Sequence, residues 1–279
     1  MTPVAAVRPG FLRRLACLLA VGMALVATAF ASDKKGIGIW EIDAAEKVDA
    51  LKVAWYYTWR PMPMSRDVQA TFVPMMSGKF DYQRQIATLR SRGPVPTLLV
   101  INEPDQTAQA NMSVDEVARL WPELEPLAAK LSSPATAGQP SAWFERFHRV
   151  AKSRGLKVDF MAIHLYGPPN PKRFLDRIDE AYRKYDLPIW ITEFAVADWD
   201  AKGKPTGTNR YSEEKVLEFM KVVLPELEKR PYVLRYAWFG ARKSYQDFEQ
   251  TRTSRLFESN GSLTPLGRYY ADFSAEHKR

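Results

Sequence analysis

Eight short apolar runs, separated by mostly longer stretches, constrain this chain more than any other feature. They cover residues 36–40, 52–59, 71–76, 97–102, 130–134, 158–166, 188–194 and 233–240. Most are apolar throughout, as strands buried on both faces are; the fifth is the weakest. Helical patterns fill most of the gaps. Ser113-Val-Asp-Glu116 matches a capping box, and Val117, Leu120, Leu124 and Leu127 follow at helical spacing. Phe144, Phe147, Val150 and Ala151 share a face of a helix that stops at Gly155. Phe174, Ile178, Tyr182 and Tyr185 mark another helix, and Val216, Phe219, Met220, Val223 and Leu227 a further one. Thr264-Pro265 reads as N-cap and first residue of a last helix. Strand–helix alternation implies a parallel sheet. Eight repeats in a chain of this length imply a closed (β/α)8 TIM barrel. An open doubly wound sheet is the alternative, but its Gly-rich phosphate turn is missing after the first run.

The first 31 residues read as a secretory leader. Arg8, Arg13 and Arg14 precede the apolar segment 15–30, and Ala29-Phe-Ala31 fits a cleavage pattern before Ser32. The apolar segment has 16 residues, short of the roughly 20 that span a bilayer. The expected division is therefore a signal peptide over 1–31 and one (β/α)8 domain over 32–279, secreted or periplasmic, with no stable membrane association after cleavage. The leader holds the single cysteine, Cys17, so the remaining chain forms no disulfide. Its loss takes three arginines and no acid, lowering the net charge from +8 to +5. No Lys/Arg cluster is dense enough to point to nucleic acid. Asn111-Met-Ser113 and Asn260-Gly-Ser262 are sequons.

Two of the apolar runs end in glutamate. "LLVINEPDQ" places Glu103 at the end of the fourth run, and "PIWITEFAV" places Glu193 at the end of the seventh. Buried carboxylates need partners, so each glutamate either leaves the core or acts there. Active sites of α/β barrels lie at the C-terminal ends of the strands, and both glutamates would meet at that mouth. Two carboxylates across a cleft suit glycosidic bond cleavage, one protonated to release the leaving oxygen, the other ionised. Strand-end placement predicts the short separation of a retaining enzyme, about 5–5.5 Å.

Six motifs now stand in order: Phe72-Val-Pro-Met75, Ile101-Asn-Glu-Pro-Asp105, Ser133-Pro-Ala135, Ile163-His-Leu-Tyr-Gly167, Trp190-Ile-Thr-Glu-Phe194 and Ala237-Trp-Phe239. The set resembles glycoside hydrolase family 128 of clan A, a glycosyl hydrolase catalytic core family that includes endo-β-1,3-glucanases. The resemblance spans nearly the whole chain after the leader. It implies a retaining hydrolase of β-1,3-glucan, with Glu103 as acid/base, Glu193 as nucleophile and Asn102 bound to the sugar 2-hydroxyl. Met76-Ser77 departs from the family pattern, which carries an aromatic there, so one sugar platform is expected to be missing. No cofactor is implied, and a monomer is expected. Another clan A β-glycanase or transglycosylase, or a barrel that binds polysaccharide without cutting it, remains an alternative.

Other candidates line the strand ends. His164 and Tyr166 share a face at the end of the sixth run, where they could orient the nucleophile or bind sugar. Histidines at 148, 164 and 277 do not form a ligand spacing for metal. Trp238 ends the eighth run as a possible stacking surface. In the second run Trp55, Tyr57 and Trp59 share one face and Tyr56 takes the other; alternation alone does not say which set faces the mouth. Trp199, Tyr211 and Tyr245 fall in the last two loops as candidate cleft walls.

Overall fold

The computed structural model describes residues 32–39, 44–63, 67–138, 141–240 and 248–275. The expected leader, Trp40 and Tyr245 lie outside them. In chain order the elements are β1 (Lys35–Gly38), α1 (Ala44–Ala50), β2 (Trp55–Tyr57), β3 (Thr71–Phe72), β4 (Met75–Met76), α2 (Tyr82–Arg92), β5 (Val95–Val100) and α3 (Val114–Leu124). They continue with β6 (Ala128–Leu131), α4 (Ala142–Arg154), β7 (Met161–Gly167), α5 (Pro171–Tyr185), β8 (Ile189–Val196), α6 (Glu213–Lys229), β9 (Val233–Trp238) and α7 (Pro265–Asp272). Among the described residues no helix is long and apolar enough to cross a membrane.

All strand pairs are parallel, and they close a ring. One sheet runs β3-β2-β1-β9-β8-β7 and the other β4-β5-β6. A bridge from Ser132 to Phe160 joins β6 to the start of β7. At the other seam, β3 and β4 are one bent strand. Pro74 has no N–H to give a ladder, so the chain pairs with β2 before it and with β5 after it. Among the described residues nine short strands thus fill eight places of a (β/α)8 barrel. Two details differ from the sequence reading. The fifth place starts at Ala128, two residues before the expected run, and among the described residues no helix separates β2 from β3.

The barrel holds two cores. Its interior packs Trp55, Tyr57, Val73, Met75, Leu99, Phe160, Trp190 and Ala237. The larger core lies between strands and helices and includes Tyr56, Tyr236 and Trp238. Glycines on β1 make room for the interior aromatics: a Cβ on Gly36 would lie 2.2 Å from the Trp55 indole, and one on Gly38 2.7 Å from Trp59.

The floor is sealed by the residues that open β1. Buried Lys35 donates from Nζ to the carbonyls of Tyr270, Ala271 and Phe273, the end of α7. Lys34 does the same for Leu227, Glu228 and Arg230 at the end of α6. Two ammonium groups therefore satisfy helix-terminal carbonyls that have no partner within the helix. Burial, and then the charge of Lys52, lowers the Lys35 pKa to about 8.

Candidate active site

Each of the two glutamates is aimed by an irregularity at the end of its strand. On β8, Trp190 points into the barrel and Ile191 into the outer core. Regular alternation would send Glu193 outward. The register prevents this: Ile163 pairs with Ile191 but His164 with Glu193, so Thr192 is an extra residue. A bulge of one residue exchanges inside and outside. Glu193 turns into the barrel mouth and Phe194 into the outer core. The Tyr57 hydroxyl donates to the carbonyl of bulged Thr192 at 2.8 Å.

On the opposite side, Ile101 and Glu103 both take left-handed backbone, with φ of 54° and 46°. This is unusual for any residue with a Cβ, and most of all for β-branched isoleucine. The kink is held from both sides. Ile101 and Asn102 donate N–H to Met76 and Ser77, and Glu103 donates to the carbonyl of Ala135 at 2.7 Å. Strain fixed by its surroundings in this way is common where side chains must be aimed for chemistry.

Glu103, His164 and Glu193 come together at the mouth. One side-chain oxygen or nitrogen from each lies within 4.8 Å of the others. His164 is fully buried; its Nδ1 is 2.9 Å from Glu103 Oε1 and 3.5 Å from Glu193 Oε2. Glu193 has a donor on each oxygen: the Tyr166 hydroxyl at 2.5 Å on Oε2 and the Trp59 indole N–H at 2.9 Å on Oε1. Both donors turn hydrogens toward the carboxylate, where a metal ion would need free lone pairs, and His164 Nδ1 is taken up by Glu103. The trio suits proton transfer better than metal ligation. One oxygen of each glutamate thus lies within 4.8 Å of the other, nearer than the carboxyl groups of an inverting pair, about 6.5–9.5 Å apart. Asn102 is buried, and its Oδ1 has no partner in the protein.

Burial pushes the Glu193 carboxyl up from its usual range, and the charge of Glu103 adds to this; His164 and the donors Tyr166 and Trp59 pull it back. For His164, burial favours the neutral ring, but the Glu193 charge and the bond to Glu103 outweigh it and raise the pKa. Tyr57 and Tyr166 are held well above the ordinary phenol value by burial and then by the Glu193 charge. Both remain donors.

Of the residues picked from sequence, Glu103, Glu193, Asn102, His164 and Tyr166 meet at the mouth. Three tryptophan and tyrosine assignments need correction. Trp238 is fully buried, alternates with inward-facing Ala237, packs on Phe194 at 4.9 Å and donates its indole N–H to Ser254 O. It is a core residue. Trp55 is fully buried in the barrel interior, with its N–H on the Lys34 carbonyl, and offers no surface to a sugar. Tyr57 is also fully buried; it supports the Glu193 bulge from below instead of touching substrate.

The structure supplies two residues in their place. Trp59 reaches Glu193, and Phe239, one residue beyond Trp238, faces inward by the alternation that turns Trp238 away. Their rings join Tyr166 and Trp199 in an edge-on series: Trp59–Phe239 at 6.2 Å, Phe239–Tyr166 at 5.6 Å and Tyr166–Trp199 at 5.9 Å. Trp199, expected as a cleft wall, is 50% exposed and stands edge-on to Tyr166. Tyr211 packs partly buried against the core.

A family model described as glycosyl hydrolase catalytic core matches residues 36–270. Among solved structures, a subgroup I endo-β-1,3-glucanase of glycoside hydrolase family 128 from Amycolatopsis mediterranei, in complex with laminaritriose, is 29% identical with a TM-score of 0.74. That comparison covers 87% of this chain and 100% of the other. A subgroup V exo-β-1,3-glucanase from Cryptococcus neoformans is 26% identical with a TM-score of 0.68, covering 87% and 100%. Alkali-sensitive linkage protein 1 of Schizosaccharomyces pombe is 28% identical over 234 residues, 78% of this chain. The chain spans 40% of the length of that curated relative.

Proposed function

The chain belongs to the glycosyl hydrolase catalytic core family, and from that premise we propose that it is a retaining glycoside hydrolase that cleaves β-1,3-glucan within the chain. The observation that carries the mechanism is the close pair of glutamates, one gripped on both oxygens and the other bonded to a histidine. Glu193 attacks the anomeric carbon as Glu103 gives its proton to the departing glycosidic oxygen. Glu103 then takes a proton from water, the water attacks the same carbon, and Glu193 leaves. His164 fixes the Glu103 carboxyl through Nδ1. Asn102 Oδ1 is a buried acceptor awaiting a donor, and a sugar 2-hydroxyl supplies one.

Azide tests the roles. In Glu193→Ala, azide should restore turnover of an activated aryl glycoside and give the inverted glycosyl azide, because it attacks in place of the carboxylate. In Glu103→Ala the covalent intermediate still forms with a good leaving group, and azide should give the retained product. The reverse pattern would exchange the two roles. Unimpaired polymer cleavage by both variants would place the site elsewhere. Linear β-1,3-glucan, mixed-linkage glucan, mannan and xylan compared side by side test the linkage.

Export follows from the three-part leader. N-terminal sequencing of the released protein should begin at or near Ser32, and an intact Met1 chain in the membrane fraction would overturn it.

A further inference from the structure

The loop between β4 and α2 displays an aromatic side chain that folding does not account for. Phe80 is 88% exposed, the most exposed large apolar side chain among the described residues. Its φ is 61°, a left-handed conformation that disfavours any residue with a Cβ and suits glycine or asparagine. The position therefore carries a strained backbone without a buried ring in return.

The strain is held in place. Gln85 Oε1 accepts from the Ser77 N–H at 2.9 Å, and Gln85 Nε2 donates to the Lys79 carbonyl at 2.7 Å. The Tyr82 N–H donates to the Phe80 carbonyl at 3.0 Å. Asp81 caps α2 through the Arg84 N–H. The Lys79 ammonium lies 5.1 Å from the Phe80 ring centroid, over one face.

This loop stands on the catalytic side of the barrel and rests on the Glu103 loop. Asn102 donates its N–H to Ser77 O, three residues before Phe80. A Cβ on Gly78 would lie 3.2–3.3 Å from Ala110, Ile101 and Met112. Buried Met76 and Ser77 present no ring of their own.

We propose that Phe80 is a stacking platform for a glucan ring at an outer subsite on the Glu103 side of the mouth. This rests on the β-glucan reading above and adds a binding determinant for chain length. An aromatic face is electron-rich and meets the C–H bonds on the flat face of a pyranose. With Lys79 over one side of the ring, the other side is left for sugar.

The test compares the full chain with Phe80→Ala, Phe80→Asn and Phe80→Trp on laminarihexaose and on an aryl β-laminaribioside. Loss of one aromatic contact should raise KM for the hexaose about three- to tenfold in the Ala and Asn variants, with kcat unchanged. The short substrate should be unaffected, and Phe80→Trp should keep the original KM. Asparagine tolerates the left-handed backbone, so agreement between Ala and Asn assigns the effect to the ring and not to loop collapse. An unchanged hexaose KM, or an equal change on both substrates, overturns the proposal. If the unsubstituted protein turns over neither substrate, the β-glucan reading is what fails. Calorimetric binding of laminarihexaose then decides the platform, and binding that does not weaken in Phe80→Ala, absent binding included, overturns it.

Discussion

At the residue scale, the site depends on the donors that oppose the effect of burial on Glu193. Tyr166 and Trp59 stabilise the carboxylate against the burial that pushes its pKa up. Tyr166→Phe removes one of the two donors. The Glu193 pKa should then rise further, because a group that favours the charged form is gone. In the proposed role of nucleophile Glu193 must be ionised to attack, so the acidic limb of kcat/KM against pH should move to higher pH. Hydrogen bonds to charged groups contribute about 1.5–3 kcal/mol, so kcat should fall by tenfold or more. Steady-state kinetics across pH on an aryl glycoside checks both. The glutamates were readable in the sequence because a charge that ends an apolar run is conspicuous. Trp59 was not: its role follows from a left-handed φ of 55° beyond β2, which turns the indole toward Glu193 and leaves no mark in residue type.

At the scale of elements, the order and number of strands were legible because strands buried on both faces are apolar throughout. That same property hid which face looks inward. Trp238 ends a strand at the correct end of the barrel, yet its parity is set by Ala237 packing inside, and the one charge in that run, Arg235, misleads because it shares the inward parity and lies over the interior rings of Trp55 and Trp190. The Thr192 bulge is silent for a related reason, since any small residue could occupy it. Packing around β1 is legible only once partners are known. Gly38→Ala would set a Cβ 2.7 Å from Trp59 and 2.9 Å from Tyr57. Overpacking of this kind costs about 1–3 kcal/mol. Thermal melting should show that loss, and kcat should drop as Trp59 shifts from Glu193. Gly167→Ala, where nothing lies within 4 Å of the new Cβ, should melt like the parent.

For the whole molecule, the floor makes stability depend on pH in an unusual direction. The Lys35 pKa falls from 10.5 to about 8 on folding, so the folded chain holds fewer protons than the unfolded one between those values. Stability contributed by this group therefore rises as pH increases through that window, by up to about 3 kcal/mol. The difference in unfolding free energy between the parent and Lys35→Met should grow from pH 8 to 10.5; a flat difference would contradict the shift. The same contacts bear on synthesis. Lys35 Nζ bonds to a carbonyl 235 residues later in the chain, and β1 pairs on one side with β9. A ribosome delivers β1 long before its second neighbour. Until then the nascent chain carries an unpaired strand edge and a lysine without its acceptors. Such edges invite pairing with other chains, and long-range closure is slow. The half-made polypeptide thus needs to be kept apart from its own kind until β9 and α7 arrive.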